Sequence, residues 1–422
     1  MTTIDTVVVG AGHAGLAVSR LLSDAGREHV VLERGRLAER WRSERWDSLH
    51  LLTPAWMTRL PGHRYRGSQG RFLSAGEFVD FLSGYAASFD APVAEGVTVH
   101  EVTHSGENFR VATDSGTFTS RHVVVASGPH GRPVTPSGVD PSRVLPSSHY
   151  RNPGALPDGG VLVVGASSSG VQIADELNRA GRDVTIAVGR HTRIPRRYRG
   201  MEVFWWLETT GKLARTIDEV RDVTAARREP SLQLIGRNRP EDDGNLDLLA
   251  LQRRGVRLAG HLTALDDTAA QFADDLAEQT NDADARMRRV LGTFDEYAAW
   301  AGLDAELLPV HRPPAAPPVS TPRRLDMRAE RIGTVITAAG FRPDHSWLRI
   351  PGVRDAHGAL RQYRGVTQVP GLFVVGQRFQ HRRDSGFIDG ARHDARFVVE
   401  HLLSRFAGGT SSRQPAEQRR QS

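Results

Sequence analysis

The first 33 residues constrain the fold of this chain more than any other stretch. Residues 6–9, Thr-Val-Val-Val, have the composition of a buried strand, and Gly10 follows where a tight turn would begin. Apolar residues then recur at helical spacing over residues 14–22, and a second short strand, residues 30–32, ends on Glu33. This order of strand, Gly-x-Gly-x-x-Gly, helix, strand and acidic residue is the complete dinucleotide-binding fingerprint. The alternative is a glycine-rich turn that holds no ligand.

Each glycine of this fingerprint has its own task. Gly10 permits the turn, Gly12 lets backbone N–H groups approach a pyrophosphate, and Gly15 lets the helix and the strand pack closely. The N-terminus of the helix adds partial positive charge for the phosphates. Glu33 can accept hydrogen bonds from both hydroxyls of a ribose, so the first site favours a dinucleotide without a 2′-phosphate.

Composition excludes several classes of function. The 422 residues include no cysteine, which excludes disulfides, iron–sulfur clusters, cysteine nucleophiles and a redox-active dithiol. The net charge is +6, but the basic residues are scattered arginines with one lysine, which does not favour a nucleic-acid partner. We see no membrane span and no signal peptide, so we expect a cytoplasmic protein of two or three domains. The sequence does not indicate the oligomeric state.

The opening pattern repeats at residues 161–170, Val-Leu-Val-Val-Gly-Ala-Ser-Ser-Ser-Gly. Gly165, Ser167 and Gly170 occupy the three fingerprint positions, with serine in place of the middle glycine and Ser169 before the last one. A helix over residues 171–177 and a strand over residues 184–188 follow, as in the first copy. A second copy in the same context predicts two nucleotide sites.

The two copies differ at the end of their second strand. Val188 stands where the first copy has Glu33, and Arg190 and Arg193 follow it. A carboxylate at that point would repel a 2′-phosphate, whereas a guanidinium pairs with it. The second site therefore favours NADP(H). The alternative for both arginines is ordinary surface charge.

Other stretches of the sequence indicate which segments lie around these two sites. Three strands end on small residues where a backbone must pass close to a neighbour, at Ser127, Gly340 and Gly376. Residues 40–54 predict an ordered loop, and residues 378–393 are rich in polar groups.

Smaller elements and boundaries complete the prediction. Residues 97–102, 109–113 and 117–119 predict a small inserted antiparallel sheet, separate from a buried strand at 123–128. Residues 312–318 predict a stiff linker, and residues 408–422 a disordered tail. We expect one domain from residues 1–150 and 325–422, and a second, inserted domain from residues 151–324.

Together these features resemble the two-dinucleotide-binding-domain flavoproteins, and among them the flavin-containing (class B) monooxygenases, over nearly the whole chain. The resemblance is carried by both fingerprints, the strands ending on small residues, and the stretch around Trp41 and residues 49–54. It implies an α/β fold of two Rossmann-like domains, an FAD lobe with an inserted NADPH lobe. Arg34, beside Glu33, joins the expected cofactor-binding residues.

The resemblance also implies a reaction. NADPH would reduce FAD, the reduced flavin would react with molecular oxygen to form a C(4a)-hydroperoxide, and one oxygen atom would pass to a small organic substrate. Trp41 is expected to pack at the flavin ring or to be a core aromatic residue, and His381 and Asp384 are candidates for the far side of the ring. Many relatives have an Asn or His that faces the flavin where this chain has Leu52. Two alternatives remain open: a flavin-dependent dehydrogenase or oxidase without oxygen insertion, and a non-catalytic FAD-binding redox sensor.

Overall fold

The structure is a computed structural model that describes residues 2–236, 244–314 and 321–409, with side chains to residue 404. The α-helices of these residues are α1 (His13–Asp24), α2 (Glu39–Ser43), α3 (Ala75–Ala87), α4 (Ser168–Arg179), α5 (Val203–Thr209), α6 (Val223–Arg227), α7 (Leu248–Arg253), α8 (Leu276–Trp300) and α9 (Ala391–Gly409). The strands are β1 (Thr2–Val9), β2 (His29–Leu32), β3 (Arg59–Leu60), β4 (His63–Arg64), β5 (Val93–Ala94), β6 (Val99–Ser105), β7 (Asn108–Thr113), β8 (Gly116–Val125), β9 (Arg132–Pro133), β10 (Leu145–Pro146), β11 (Gly160–Val164), β12 (Val184–Ala187), β13 (Thr192–Pro195), β14 (Arg197–Tyr198), β15 (Met201–Glu202), β16 (Leu232–Ile235), β17 (Arg257–Ala259), β18 (Leu262–Leu265), β19 (Ala269–Phe272), β20 (Arg324–Asp326), β21 (Ile332–Thr337), β22 (Phe341–Arg342), β23 (Gln362–Tyr363), β24 (Val366–Thr367) and β25 (Leu372–Val374).

β1 lies inside the first sheet, whose strand order is β23-β24-β25-β8-β1-β2-β5. It pairs in parallel with β2 on one side and with β8 on the other. Side chains of a strand alternate between the two faces of a sheet. Accordingly, Val8 packs with α1, α3 and α9, whereas Val7 and Val9 pack with residues from β6, β7 and the segment around Leu348. Both faces are covered, which explains why three consecutive valines are buried.

The second sheet repeats this arrangement with the order β10-β21-β11-β12-β17, and all its pairings are parallel. β11, α4 and β12 correspond to β1, α1 and β2, and β21 takes the place that β8 has in the first sheet. Val163 lies opposite Ile186 on one side and Ile336 on the other. The predicted fold class, α/β with two Rossmann-like domains, is confirmed.

Several predicted elements change when the chain is folded. The strands predicted at 117–119 and 123–128 form one strand, β8, whose first half pairs antiparallel with β7 while the strand pairs in parallel with β1 along most of its length. The small antiparallel sheet therefore extends the first sheet instead of standing apart. β21 lies in the second sheet, because its hydrogen bonds go to β10 and β11, although the predicted boundary placed residue 325 onwards with the first domain.

The end of the chain is more helical than its sequence indicated. α9 begins at Ala391, within the stretch taken as a polar loop, and it extends to Gly409. The remainder of the predicted tail, residues 410–422, lies outside the described residues, as do residues 315–318 of the predicted linker. Among the residues that the structure describes, no helix is long and apolar enough to cross a membrane.

Residues 40–43 of the predicted loop belong to α2, and the whole segment 40–54 connects the cores of the two sheets. Trp46 and Leu49 pack in the core around β11 and α4, whereas Leu51 packs in the core around α1 and α3. Trp41, half-buried, packs against both. Residues 201–316 had no assigned role in the sequence. Their helices α5 and α8 form a further aromatic core, in which Trp206 stacks on Phe294 with ring centroids 5.4 Å apart.

Candidate dinucleotide-binding sites

The first fingerprint forms the turn between β1 and α1. Gly10 has φ of +112°, and a Cβ there would lie 2.7 Å from the carbonyl oxygen of Ala126 at the end of β8. A Cβ on Gly15 would overlap the carbonyl of Gly10. Both positions therefore require glycine because the protein itself leaves no room. A Cβ on Gly12, in contrast, would meet no protein atom within 4 Å. The space beside Gly12 is open for a ligand.

The second fingerprint has the same geometry between β11 and α4. Gly165 also has φ of +112°, its Cβ would lie 2.6 Å from the carbonyl oxygen of Ala338, and a Cβ on Gly170 would overlap the carbonyl of Gly165. Ser167 caps α4 with φ of −80° and ψ of −170°, close to the −82° and −179° of Gly12 at α1. The side chain of Ser167 makes no capping hydrogen bond. The two turns are structural copies, as the sequence predicted.

The groups around the first turn fit an FAD molecule. Glu33 lies at the end of β2, where its carboxylate accepts hydrogen bonds from the backbone N–H of Ala11 at 2.8 Å and of Gly35 at 3.1 Å. These bonds fix the carboxylate beside the turn and leave lone pairs for ribose hydroxyls. The Oγ atom of Ser127 and the Nε2 atom of His13 are buried without a partner among the described residues. Buried polar atoms are normally hydrogen-bonded, so these two favour a polar ligand at this turn.

The structure separates the two arginines that the sequence grouped at the second site. Arg190 is exposed and has no hydrogen bond or ion pair with the described residues. Arg193 is 3% exposed, its Nε lies 3.2 Å from the carboxylate of Asp284, and its Nη2 donates to the carbonyl of Pro314 at 2.7 Å. Asp247 lies 3.8 Å from Nη1. Arg190 thus stays a candidate for binding the 2′-phosphate of the coenzyme. Arg193 instead belongs to a buried cluster of ion pairs with Asp284 and Asp247.

The other predicted cofactor residues lie at strand ends near the two turns. A Cβ on Gly376, after β25, would lie 2.8 Å from the Cβ of Ala14, so this glycine permits close packing on α1. A Cβ on Gly340, after β21, would meet nothing within 4 Å. Arg34 points to solvent and forms an ion pair with Glu44 at 3.2 Å. Ser169 lies in the first turn of α4. Their contacts with a cofactor stay predictions.

Trp41 and Leu52 lie at the junction of the two lobes. The Trp41 ring meets Phe78 edge-on with centroids 4.8 Å apart, and the guanidinium of Arg45 lies 5.0 Å from the ring centroid. Leu52 is half-buried, and its carbonyl oxygen accepts a hydrogen bond from Arg196 of the second lobe at 3.1 Å. The side chain of Leu52 offers no hydrogen bond of its own.

His381 and Asp384 lie before α9 in different environments. Arg382 binds the Asp384 carboxylate with two hydrogen bonds of 3.0 Å, and burial raises the pKa of Asp384 while Arg382 opposes this. Asp384 is therefore tied up in an ion pair. The Nδ1 atom of His381 lies 3.9 Å from the carboxylate of Asp394, which is fully buried. Burial lowers the pKa of His381 and raises the pKa of Asp394 to about 7.

Sequence reasoning missed Asp394, Arg196 and Gln233. All three are polar and less than 10% exposed. One local signal existed for Gln233, which is a polar residue within the apolar run Leu-Gln-Leu-Ile of β16. Asp394 and Arg196 gave none, because charged residues near helix ends and between strands are usually solvated.

Comparisons with known proteins agree with this geometry. Residues 7–208 match the family model described as pyridine nucleotide-disulphide oxidoreductase. An uncharacterized CzcO-like oxidoreductase of Geobacillus kaustophilus is 29% identical over 95% of this chain and 99% of its own length. A probable indole-3-pyruvate monooxygenase, YUCCA4 of Arabidopsis thaliana, is 30% identical over 47% of this chain and 50% of its own length. The solved flavin-containing monooxygenase from Stenotrophomonas maltophilia has 22% identity and a TM-score of 0.66, over 96% of this chain and 100% of its own.

The duplicated turn and these matches define a fold of two dinucleotide-binding domains. Over nearly its whole length the chain is similar in sequence to an uncharacterized CzcO-like oxidoreductase and in fold to a flavin-containing monooxygenase. Because the sequence has no cysteine, the disulphide chemistry in the description of the family model has no reactive thiol here.

Proposed function

We propose that the protein is an NADPH-reduced FAD monooxygenase that inserts one oxygen atom into a small organic substrate. The observation that carries this proposal is the pair of superposable turns with opposite charge at the end of the second strand. Glu33 stands in the first copy, and Arg190 follows in the second. FAD, when bound, is the group that would accept a hydride and react with oxygen.

The residues of the chain bind and orient the two coenzymes. The first-turn N–H groups of α1 and α4 lack intrahelical partners, and at each helix start they hold a pyrophosphate, for which the space beside Gly12 is open. Glu33 accepts hydrogen bonds from the FAD ribose, and Arg190 pairs with the 2′-phosphate of NADPH. Trp41 shields the flavin side of the lobe junction from water, and His381 lines its far side.

The division into lobes follows the two sheets. The FAD lobe comprises β1 to β8 with β23 to β25 and α9, and the NADPH lobe comprises the second sheet with β21. We place the enzyme in the cytoplasm, where NADPH is available as a reductant.

A second candidate is an NADPH oxidase that reduces oxygen without inserting it. Leu52 favours this candidate, because it offers no hydrogen bond where relatives of this class are expected to have a donor. The fate of the oxygen that the FAD-loaded protein consumes separates the two. A monooxygenase transfers one atom of ¹⁸O₂ into an organic product and the other into water, whereas an oxidase reduces one O₂ to hydrogen peroxide for each NADPH oxidised, whichever substrate is offered. Stoichiometric peroxide across a substrate panel would overturn the proposed insertion.

A further inference from the structure

A small pocket lies where the loop over residues 40–54 meets the second lobe. Its cavity volume is about 10 Å³, room for one water-sized group. Its walls come from the loop, from the first turns of α4 and from β16. The lining residues used below are Leu52, Val171, Arg196, Gln233, Leu234 and Leu246. None of them belongs to the predicted cofactor-binding set, and Leu52 is one of the predicted catalytic residues.

Arg196 is buried at this pocket, and its ion-pair partner among the described residues, Glu202, lies 3.7 Å away. It is 7% exposed, its Nη1 donates to the carbonyl of Leu52, and its guanidinium lies 4.3 Å from the centroid of the Phe72 ring. Its Nε atom is buried with no partner among the described residues. Burying a charged group is costly unless it is paired, so an orphaned guanidinium donor indicates a missing anion.

The nearest carboxylate to Arg196 does not neutralise it fully. Glu202 Oε1 lies 3.7 Å from Nη1, and Oε2 accepts the N–H of Phe204 at 2.6 Å. Burial raises the pKa of Glu202 to about 7, although Arg196 and Arg197 lower it. Near pH 7 Glu202 is therefore about half protonated, so it compensates the charge of Arg196 only in part.

Gln233 presents a second set of unused groups to the same pocket. Its side chain is 1% exposed, and neither its amide nitrogen nor its amide oxygen has a partner in the described part of the chain. Leaving a buried donor or acceptor unsatisfied costs about 1–3 kcal/mol. The lining also includes the apolar side chains of Val171, Leu234 and Leu246. Apolar neighbours strengthen an ion pair by keeping water away from it.

We propose that this junction pocket binds the carboxylate of a small organic acid, with the guanidinium of Arg196 and the amide of Gln233 as its anchors. The inference rests on the proposed function, since it names the substrate class of that enzyme. Guanidinium and carboxylate groups match in charge and geometry, and the water-sized cavity has room for one carboxylate oxygen. The rest of the acid lies outside the cavity.

Binding of two acids to the FAD-loaded protein tests this without NADPH or turnover. Phenylacetate and hexanoate are titrated by calorimetry, with phenylacetamide as the neutral counterpart. We expect both acids to bind and phenylacetamide to bind at least tenfold more weakly, since the amide lacks the charge that Arg196 recognises. If neither acid binds, the unpartnered atoms are merely hydrated and the proposal is wrong.

Three variants test which residues bind the carboxylate of phenylacetate. Arg196→Gln is expected to weaken phenylacetate about tenfold or more, whereas Arg197→Gln, at the exposed neighbouring arginine, leaves it unchanged. Gln233→Leu is expected to weaken phenylacetate severalfold and keeps the test valid if Arg196→Gln does not fold. Equal affinity in all variants overturns the assignment.

The same variants distinguish a substrate site from part of the coenzyme site. Ser168 of α4 also lines the pocket, so NADP⁺ is titrated in parallel. We expect Arg196→Gln to bind NADP⁺ as the unmodified protein does. Weaker NADP⁺ binding with unchanged phenylacetate binding would assign the pocket to the coenzyme and overturn the proposal. If acids bind at Arg196 but none is oxygenated, the pocket stands and the proposed monooxygenase activity fails.

Discussion

Replacing Arg193 tests whether it stabilises the fold or binds the coenzyme. Its side chain is 2% exposed and lies between two carboxylates, Asp284 and Asp247, that are 3% and 5% exposed. Removing one partner of a buried ion pair costs about 3–5 kcal/mol, because the remaining charge is buried alone. Arg193→Met is therefore expected to lower the free energy of unfolding of the second lobe by about that amount. For a lobe of this size, the loss corresponds to a decrease in Tm of roughly 6–20 °C.

The loss of stability in Arg193→Met should grow as the pH rises. Burial already raises the pKa of Asp284, and Arg193 is the first of the groups that lower it. Without Arg193 the pKa of Asp284 rises further above its value in the unfolded chain. A group with a raised pKa in the folded state contributes stability at low pH and loses it as pH rises. The Tm of Arg193→Met should therefore approach that of the unmodified protein near pH 5 and fall away towards pH 8.

Thermal unfolding followed by circular dichroism across this pH range measures the effect. Arg190→Met is the matched control, because Arg190 is exposed and its replacement should change the stability by no more than about 0.5 kcal/mol. Adding Asp284→Asn to Arg193→Met should recover part of the lost Tm. An unchanged Tm together with a raised KM for NADPH in Arg193→Met would refute the reasoning and return Arg193 to the coenzyme site.

Outcomes are expected for five further variants. Gly12→Val should fold but purify colourless, because its side chain meets no protein atom within 4 Å yet fills the phosphate position. Yellow Gly12→Val protein would contradict the FAD site. Gly15→Ala should instead lower Tm, because its Cβ overlaps a backbone carbonyl. Arg190→Ala should raise the KM for NADPH about ten- to hundredfold and leave that for NADH unchanged in steady-state assays; equal losses would make Arg190 structural. The pKa of Asp394 is about 7 when folded, against about 3.9 when unfolded, so the contribution of this carboxyl to stability should fall by about 3 kcal/mol between pH 4 and pH 7. Asp394→Asn should remove that slope in denaturant titrations, and identical slopes would contradict the assignment. Leu52→Asn should lower the hydrogen peroxide released per NADPH, and unchanged release would show that residue 52 does not face the oxygen-reacting site.

The sequence alone determined the two turns and the class of fold. A dinucleotide fingerprint is a local pattern, in which strand, glycine turn and helix follow one another within about 30 residues. Gly15 and Gly170 are fixed by the carbonyls of Gly10 and Gly165, five residues earlier in each copy. Such short-range information survives in the order of residues, so the repeat could be read before any tertiary contact was known.

Only the tertiary structure decided what individual side chains do. Arg190 and Arg193 are three residues apart and chemically identical, yet one is exposed and the other is enclosed by Asp284, about ninety residues further along the chain. Arg196 and Gln233 gave no sign of a shared pocket, because β13 and β16 pair only after the segment between them has folded. Burial, pairing and pKa depend on neighbours brought together by packing. These neighbours are distant in sequence, and no local pattern specifies them.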